Sequence, residues 1–181
     1  AVKVAPGEWT KQHLTLQAVE DADSASLSIQ TVTPGIYALD MISLFPQKTF
    51  KNRPNGLRAD LAQTIADLHP RFMRFPGGCL AHGDGVHNIY NWKETIGPLE
   101  SRKPQRNLWG YHQTKGLGYY EFFQFCEDIQ AEPVPVIAAG VCCQNSRGGG
   151  QQGVAMCDMD AFVQDILDLV EYANGDASSK W

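Results

Sequence analysis

From residue 57 onward, helix-period and strand-period patterns alternate, and few architectures accept that order. In "LRADLAQTIADLHP" the apolar residues Leu57, Leu61, Ile65 and Leu68 recur at helical spacing, and Pro70 stops the helix. "RFMRF" then reads as a short buried strand. "GYYEFFQFCEDI" places Tyr119, Phe122, Phe123, Cys126 and Ile129 on one helical face. "AEPVPVIAAG" follows as a strand of low polarity, expected where both sides are covered, with Pro133 and Pro135 predicting an irregular start. A last helix, "DAFVQDILDLVEYANG", carries a stripe of Phe162, Ile166, Leu169, Val170 and Ala173, and Asn174-Gly175 suits its C-cap. Helix, strand, helix, strand, helix is the order of a parallel sheet with crossover helices. The first helix has no strand before it and the last none after it, as expected of part of a larger fold. A doubly wound sheet and a (β/α)8 barrel both fit this pattern.

The connection from Gly77 to Leu117 favours the barrel. It runs for about forty residues, whereas strand-to-helix loops usually take about two to six. Long loops after parallel strands build the active face of a barrel. This one carries Tyr90, Trp92, Trp109 and Tyr111, flat side chains on which sugar rings stack. The same aromatics would equally serve as a small core beneath the loop.

Residues 9 to 45 read differently. "HLTLQAV" and "ASLSIQTV" alternate apolar with polar, "DADS" separates them, and "TPG" breaks the second from "IYALDMISLF". Three strands with one apolar face and nothing to cover it suggest the end of a β-sandwich. The expected division is therefore 1–45, sandwich strands, and 46–181, the α/β part.

Fifteen basic against twenty acidic residues leave a net charge of −5. That argues against nucleic acid or an anionic membrane surface as partner, since both need basic patches. No apolar run approaches the roughly 20 residues that span a bilayer. The opening "AVKVAPGEWTKQ" lacks the apolar centre of a signal peptide. The five cysteines are odd in number and include no C-x-x-C pair, which argues against a disulfide framework and a zinc ribbon. Cys126 reads as a core residue, and Cys142-Cys143 as packing residues just past a strand end.

Several local patterns carry less than they suggest. "CLAHGDGVH" holds Cys79, His82, Asp84 and His87, but at no recognised metal spacing. "GGGQQG" matches G-x-G-x-x-G, yet it sits well beyond the strand end and short of the next helix, so it reads as a loop. Asp84, Glu94 and Glu100 are possible acid/base groups with no evident partner. "RFPGGC" is more pointed. Pro76 ends strand pairing, Gly77 and Gly78 permit close backbone approach, and Arg74 stands at the strand end with a five-donor fork. A buried arginine there needs carboxylates or sugar-like oxygens. The alternative is a surface ion pair.

Taken together and in order, "DMISLFP", "PNGLRADLAQTIADLHPRFMRFPGGC", "YNWKETIGPLESR" and "NLWGYHQTKGLGYYEFFQFCEDIQAEPVPVIAAG" resemble the α-L-arabinofuranosidases of glycoside hydrolase family 51, over about residues 37 to 175. Residues 1 to 36 resemble the end of a carbohydrate-binding-like β-sandwich found in some members. The resemblance implies a (β/α)8 TIM barrel with an additional β-domain. Leu57–Leu68 would be its first helix, "RFMRF" its second strand and "VPVIAAG" its third. It implies removal of terminal arabinofuranosyl groups from arabinan, arabinoxylan and related oligosaccharides with retention of configuration. Retaining pairs hold their carboxyls about 5–5.5 Å apart.

In the family the acid/base glutamate follows an asparagine at the end of the fourth strand, and the nucleophile ends the seventh. No Asn-Glu pair occurs in this sequence. Both glutamates are expected beyond Trp181, and residues 1–181 alone are expected to be inactive. The resemblance assigns substrate binding to Arg74, in the furanose pocket beside the carboxylates. It assigns it also to Cys79, where many members carry asparagine, to Trp92 at the pocket entrance, and to Trp109. It implies neither a metal nor an organic cofactor. The partners implied are an arabinose-containing saccharide and the remainder of the polypeptide, or a partner chain, to complete the barrel. The compartment implied is periplasmic or extracellular. Two other readings remain: another barrel glycosidase such as an endoglucanase, and a noncatalytic carbohydrate-binding module built on residues 1–45.

Overall fold

A computed structural model describes residues 2–54 and 56–181. The chain divides into two compact units, Ala1–Ala38 and Leu39–Trp181.

The described residues of the first unit form no helix and no strand. Trp9, Leu14, Val19, Val32 and Ile36 stand exposed. The alternation in this stretch, and in residues 39–45, thus meets no ladder here. A period-2 pattern supplies one apolar face, and that face stabilises a strand only when a neighbouring strand and a second layer cover it.

The second unit is mixed α/β. Its helices are α1 (Ala59–Asp67), α2 (Gly78–His82), α3 (Tyr119–Ile129) and α4 (Met159–Asn174). Its strands are β1 (Phe72–Phe75), β2 (Gln105–Arg106), β3 (His112–Gln113) and β4 (Glu132–Pro135). β1 and β4 pair in parallel, with Arg74 opposite Val134, and β2 and β3 form a small antiparallel hairpin.

The prolines of β4 do not delay the ladder; they lie inside it. Glu132 N–H donates to Arg71 O (2.9 Å) and Val136 N–H to Phe75 O (2.7 Å). Peptide groups alternate sides along a strand, so the even-numbered residues face β1. Pro133 and Pro135 face the opposite edge, where a missing donor disrupts nothing in this pair.

Helices cover one face of the pair. Met73 joins a cluster with Phe50, Ala62, Phe125, Leu57, Ile65 and Ile129. Phe75 packs on Tyr119 and Phe122, at 5.6 and 5.1 Å between ring centroids. Successive strand residues point to opposite faces, so Phe72 and Arg74 point away from the helices, and both are exposed. The stripe of α1 is only partly covered: Leu57 and Ile65 meet this cluster, whereas Leu61 and Leu68 remain exposed. On α4, Leu169 is buried but Val163, Ile166 and Val170 are not.

The long connection is held by a core of its own, where Tyr90 and Trp92 pack with Tyr119 and Leu169. The Thr95 hydroxyl accepts the Tyr119 N–H (3.0 Å) and donates to Trp92 O (2.7 Å), tying the loop to the start of α3. Arg102 completes the tie, donating to Gly97 O, Lys115 O, Gly116 O and both oxygens of Glu121.

Candidate functional site at the strand ends

The turn after β1 and the loop after β4 leave the same end of the parallel pair, and the sequence-singled residues are distributed around them. Arg74, one residue before the end of β1, lies on the face turned away from the helices. Its guanidinium lies over the following turn: Nη1 is 3.5 Å from where a Cβ on Gly77 would stand, and Nη2 is 3.6 Å from the same point on Gly78. Gly77 has φ +122°, a conformation that strains any side chain, so glycine is required there; Gly78 opens α2 with an ordinary backbone. Among the described residues Arg74 forms no ion pair. The residue is exposed rather than buried, and its fork lies over this turn without a carboxylate partner among the described residues.

Cys79 sits in the first turn of α2, half-buried. Gly83 N–H donates to Cys79 O (3.0 Å) and Cys143 N–H to Gly83 O (3.2 Å), and the neighbouring Cys143 thiol, with burial, pushes the Cys79 thiol above its ordinary value. No sequence signal links the segments of these two cysteines, which lie far apart in the chain.

Trp92 has its place in the core beneath the loop. It is 1% exposed, its indole N–H donates to Asp165 O (3.0 Å), and Tyr119, Tyr172 and Trp181 surround its ring. The ring thus packs on its neighbours rather than standing exposed at a rim. Burial of the ring and satisfaction of its one donor are together more stabilising than exposure at a rim. With Tyr90, Ile137, Phe162 and Asp165 it borders a cavity of about 200 Å³. Trp109 is the opposite case. It is 53% exposed on the loop that joins β2 to β3, where Asn107 Oδ1 accepts the Trp109 and Tyr111 amides (3.1 and 2.9 Å). Tyr111 is exposed beside it in sequence. Arg147, from the loop after β4, reaches this tip by donating to Leu108 O (3.5 Å).

The loop carboxylates have structural partners. Glu94 Oε2 takes the buried Lys115 ammonium at 2.6 Å, and Asp84 Oδ1 accepts the Arg147 N–H at 2.8 Å. Lys93 bridges Asp165 (2.7 Å) and Asp168, and holds the Asp168 carboxyl below the usual carboxylate range. The glycine-rich 148–153 stretch closes a loop through the Val141–Gly153 bridge, with Cys142 N–H on Gln152 O (2.9 Å). Among the described residues no helix is long and apolar enough to cross a membrane, and no group of three or more His, Cys, Asp or Glu side chains is placed to hold a metal ion.

These features find counterparts in known proteins. Residues 64–181 match the family described as "Alpha-L-arabinofuranosidase 1 domain". The chain is 43% identical, over 97% of its length, to the extracellular exo-α-L-arabinofuranosidase of Streptomyces chartreusis. It is 39% identical, over 96%, to α-L-arabinofuranosidase 1 of Arabidopsis thaliana. It spans 22% and 24% of those two proteins. Among solved structures, an arabinose-bound GH51 α-L-arabinofuranosidase aligns with 73% of the chain at TM-score 0.65 and 41% identity, the chain covering 20% of it. The arabinose complex of the Thermotoga maritima α-L-arabinofuranosidase aligns with 70% at TM-score 0.51 and 25% identity, with 21% of it covered. The order of elements, the arginine-proline-glycine strand end and these matches converge, and the chain belongs to the α-L-arabinofuranosidases of glycoside hydrolase family 51.

Proposed function

We propose that this chain supplies one side of the furanose pocket of a retaining α-L-arabinofuranosidase acting on arabinan, arabinoxylan or oligosaccharides derived from them. The observation that carries this reading is the placement of Arg74. It stands at the end of a parallel strand, on the face opposite the helices, with its fork over a turn that requires glycine at 77. In a barrel that face is the interior, and the strand ends line the active site. Residues 46–181 form part of the (β/α)8 barrel, and residues 1–45 the last strands of a carbohydrate-binding-like sandwich. The remaining strands of the polypeptide, or of a partner chain, cover Phe72, Val134 and the exposed side of α4. Pro133 and Pro135 offer the far edge of β4 acceptors only, so the strand docking there donates at those positions.

In this reading a glutamate acid/base and a glutamate nucleophile from beyond Trp181 carry the double displacement. Arg74 fills its empty fork with one of them, and two parallel N–H···O bonds hold that carboxylate ionised and oriented. Cys79 borders the sugar, and Trp109, as an exposed platform, receives the rest of the saccharide. The reaction asks for no cofactor. The resemblance favours a secreted or periplasmic protein.

The test is hydrolysis of 4-nitrophenyl α-L-arabinofuranoside by the longer protein carrying these residues, with the product anomer followed by NMR. Release of the α-anomer first is expected. Inversion, or action on β-glucan oligosaccharides in preference to arabinofuranosides, would sink the proposal.

A further inference from the structure

The β2–β3 hairpin and the loop after β4 are joined by a closed path of hydrogen bonds through a third segment. Asn88 Nδ2 donates to Arg106 O at the hairpin stem (3.1 Å), and Asn88 Oδ1 accepts the Asp84 N–H (2.9 Å). Asp84 Oδ1 accepts the Arg147 N–H (2.8 Å), and the Arg147 guanidinium returns to the hairpin tip at Leu108 O (3.5 Å). Arg147 Nη2 also lies 3.8 Å from where a Cβ on Gly110 would stand. The fork is therefore seated against the residues on either side of Trp109. That tryptophan is 53% exposed, in the turn closed by Gly110 N–H on Asn107 O (3.0 Å).

The seat uses little of what the fork can give. A guanidinium has five N–H donors, and the one spent here makes the long bond to Leu108 O. Arg147 is exposed and forms no ion pair among the described residues. Asp84 engages its main chain rather than its side chain. On a chain of net charge −5, a positioned cation with spare donors beside an exposed aromatic ring is a local exception, and its complement is an anion attached to something that stacks.

We propose that Trp109 and Arg147 form a subsite for a glucuronosyl branch of the saccharide. Trp109 stacks a neutral ring of the xylan main chain, and the Arg147 fork takes the carboxylate of a glucuronosyl group on a neighbouring ring. A planar fork meets a carboxylate with two parallel N–H···O bonds, which an ammonium does not reproduce. One fork beside one platform fits one carboxylate on an otherwise neutral chain. A polyuronate would instead bring a carboxylate on every ring to a protein of net negative charge. The placement of this subsite on a saccharide-binding face rests on the function proposed above; the recognition of a carboxylate rests on Arg147.

The longer protein carrying these residues is titrated by calorimetry with a glucuronosyl-branched xylotriose, with the same oligosaccharide after reduction of its carboxyl to the alcohol, and with trigalacturonate. The acid form is expected to bind about fivefold more tightly than the reduced form, as for an exposed charge pair, with the difference shrinking at high salt. Arg147→Gln should abolish the difference and Arg147→Lys should keep part of it. Arg106→Gln, which removes another exposed arginine at the hairpin stem, should preserve most of it. Equal affinity of the wild type for acid and reduced forms overturns the proposal, and so does binding of neither. An equal loss in Arg106→Gln and Arg147→Gln would mean a diffuse positive field and overturns the role of the fork. Tighter binding of trigalacturonate overturns the assignment to a xylan branch. Hydrolysis of 4-nitrophenyl α-L-arabinofuranoside is followed in parallel: its absence refutes the arabinofuranosidase reading, while the paired affinities still judge Arg147.

Discussion

Arg102 and Glu121 form a two-pronged ion pair, Nη2 to Oε1 at 2.8 Å and Nη1 to Oε2 at 3.0 Å, with side chains only 3% and 8% exposed. The same glutamate accepts the Gly118 N–H at 2.9 Å, so one carboxylate both caps α3 and anchors the long loop. Removing one partner leaves the other charged, buried and unpaired. Glu121→Ala is therefore expected to cost about 3–5 kcal/mol of stability. Arg102→Lys keeps the charge but not the fork, and should recover only part of it. Urea unfolding monitored by fluorescence measures both.

Gly118 lies against Thr95 so closely that a Cβ would sit 1.8 Å from the Thr95 carbonyl oxygen. Gly118→Ala must push loop and helix apart. The expected cost is about 1–3 kcal/mol, as for overpacking elsewhere. A melting temperature equal to that of the parent would show that the contact yields freely.

Trp92 and Trp109 should separate stability from binding. Trp92→Ala empties the core beneath the loop and is expected to cost about 3–5 kcal/mol. Trp109→Ala removes an exposed ring and should leave unfolding within about 0.5 kcal/mol of the parent. If Trp109 is a saccharide platform, its loss raises KM for an arabinoxylan oligosaccharide more than for an aryl arabinofuranoside. Equal kinetics on both substrates would remove Trp109 from the binding surface.

Under the proposed function, Arg74→Ala in a longer protein carrying these residues is expected to lower kcat/KM by at least about 2–3 kcal/mol of transition-state stabilisation, near a hundredfold. The fold should be unaffected, since Arg74 is exposed and supports no ion pair among the described residues. Near-normal turnover by the folded variant would end its assignment to the pocket.

Stability should fall in alkali. Burial pushes the Tyr90 hydroxyl up to about 12 and the Cys126 thiol up to about 11, and raises Tyr119 as well. The unfolded chain releases those protons earlier, near about 8.5 for cysteine and about 10 for tyrosine. Raised folded values mean that the contribution is whole below the unfolded values. It is lost as pH rises through the folded ones, between about pH 9 and 12. Fluorescence-detected unfolding across that range, with tyrosinate absorbance alongside, checks the sign. Constant stability up to pH 12 would contradict the burial of these groups.

The sequence pattern located α1, α3 and α4 and predicted parallel strands at 70–75 and 134–139, because helix and strand repeats are properties of consecutive residues; the structure pairs 72–75 with 132–135. The arginine, proline and glycines at 74–78 were legible for the same reason: a strand end and a turn are written locally. Which way a ring or a thiol points was not. Two loop tryptophans of the same chemistry met opposite fates. Trp92 found a carbonyl and three aromatic neighbours within reach, and Trp109 was carried to a hairpin tip. Pro133 and Pro135 looked disruptive until the ladder showed that only the even-numbered amides face β1. The Arg102–Glu121 pair and the Cys143 N–H on Gly83 O join segments brought together only by chain folding. Sequence patterns report the faces that each segment offers; the tertiary structure decides which faces meet, because burial and hydrogen bonding are settled between segments rather than within them.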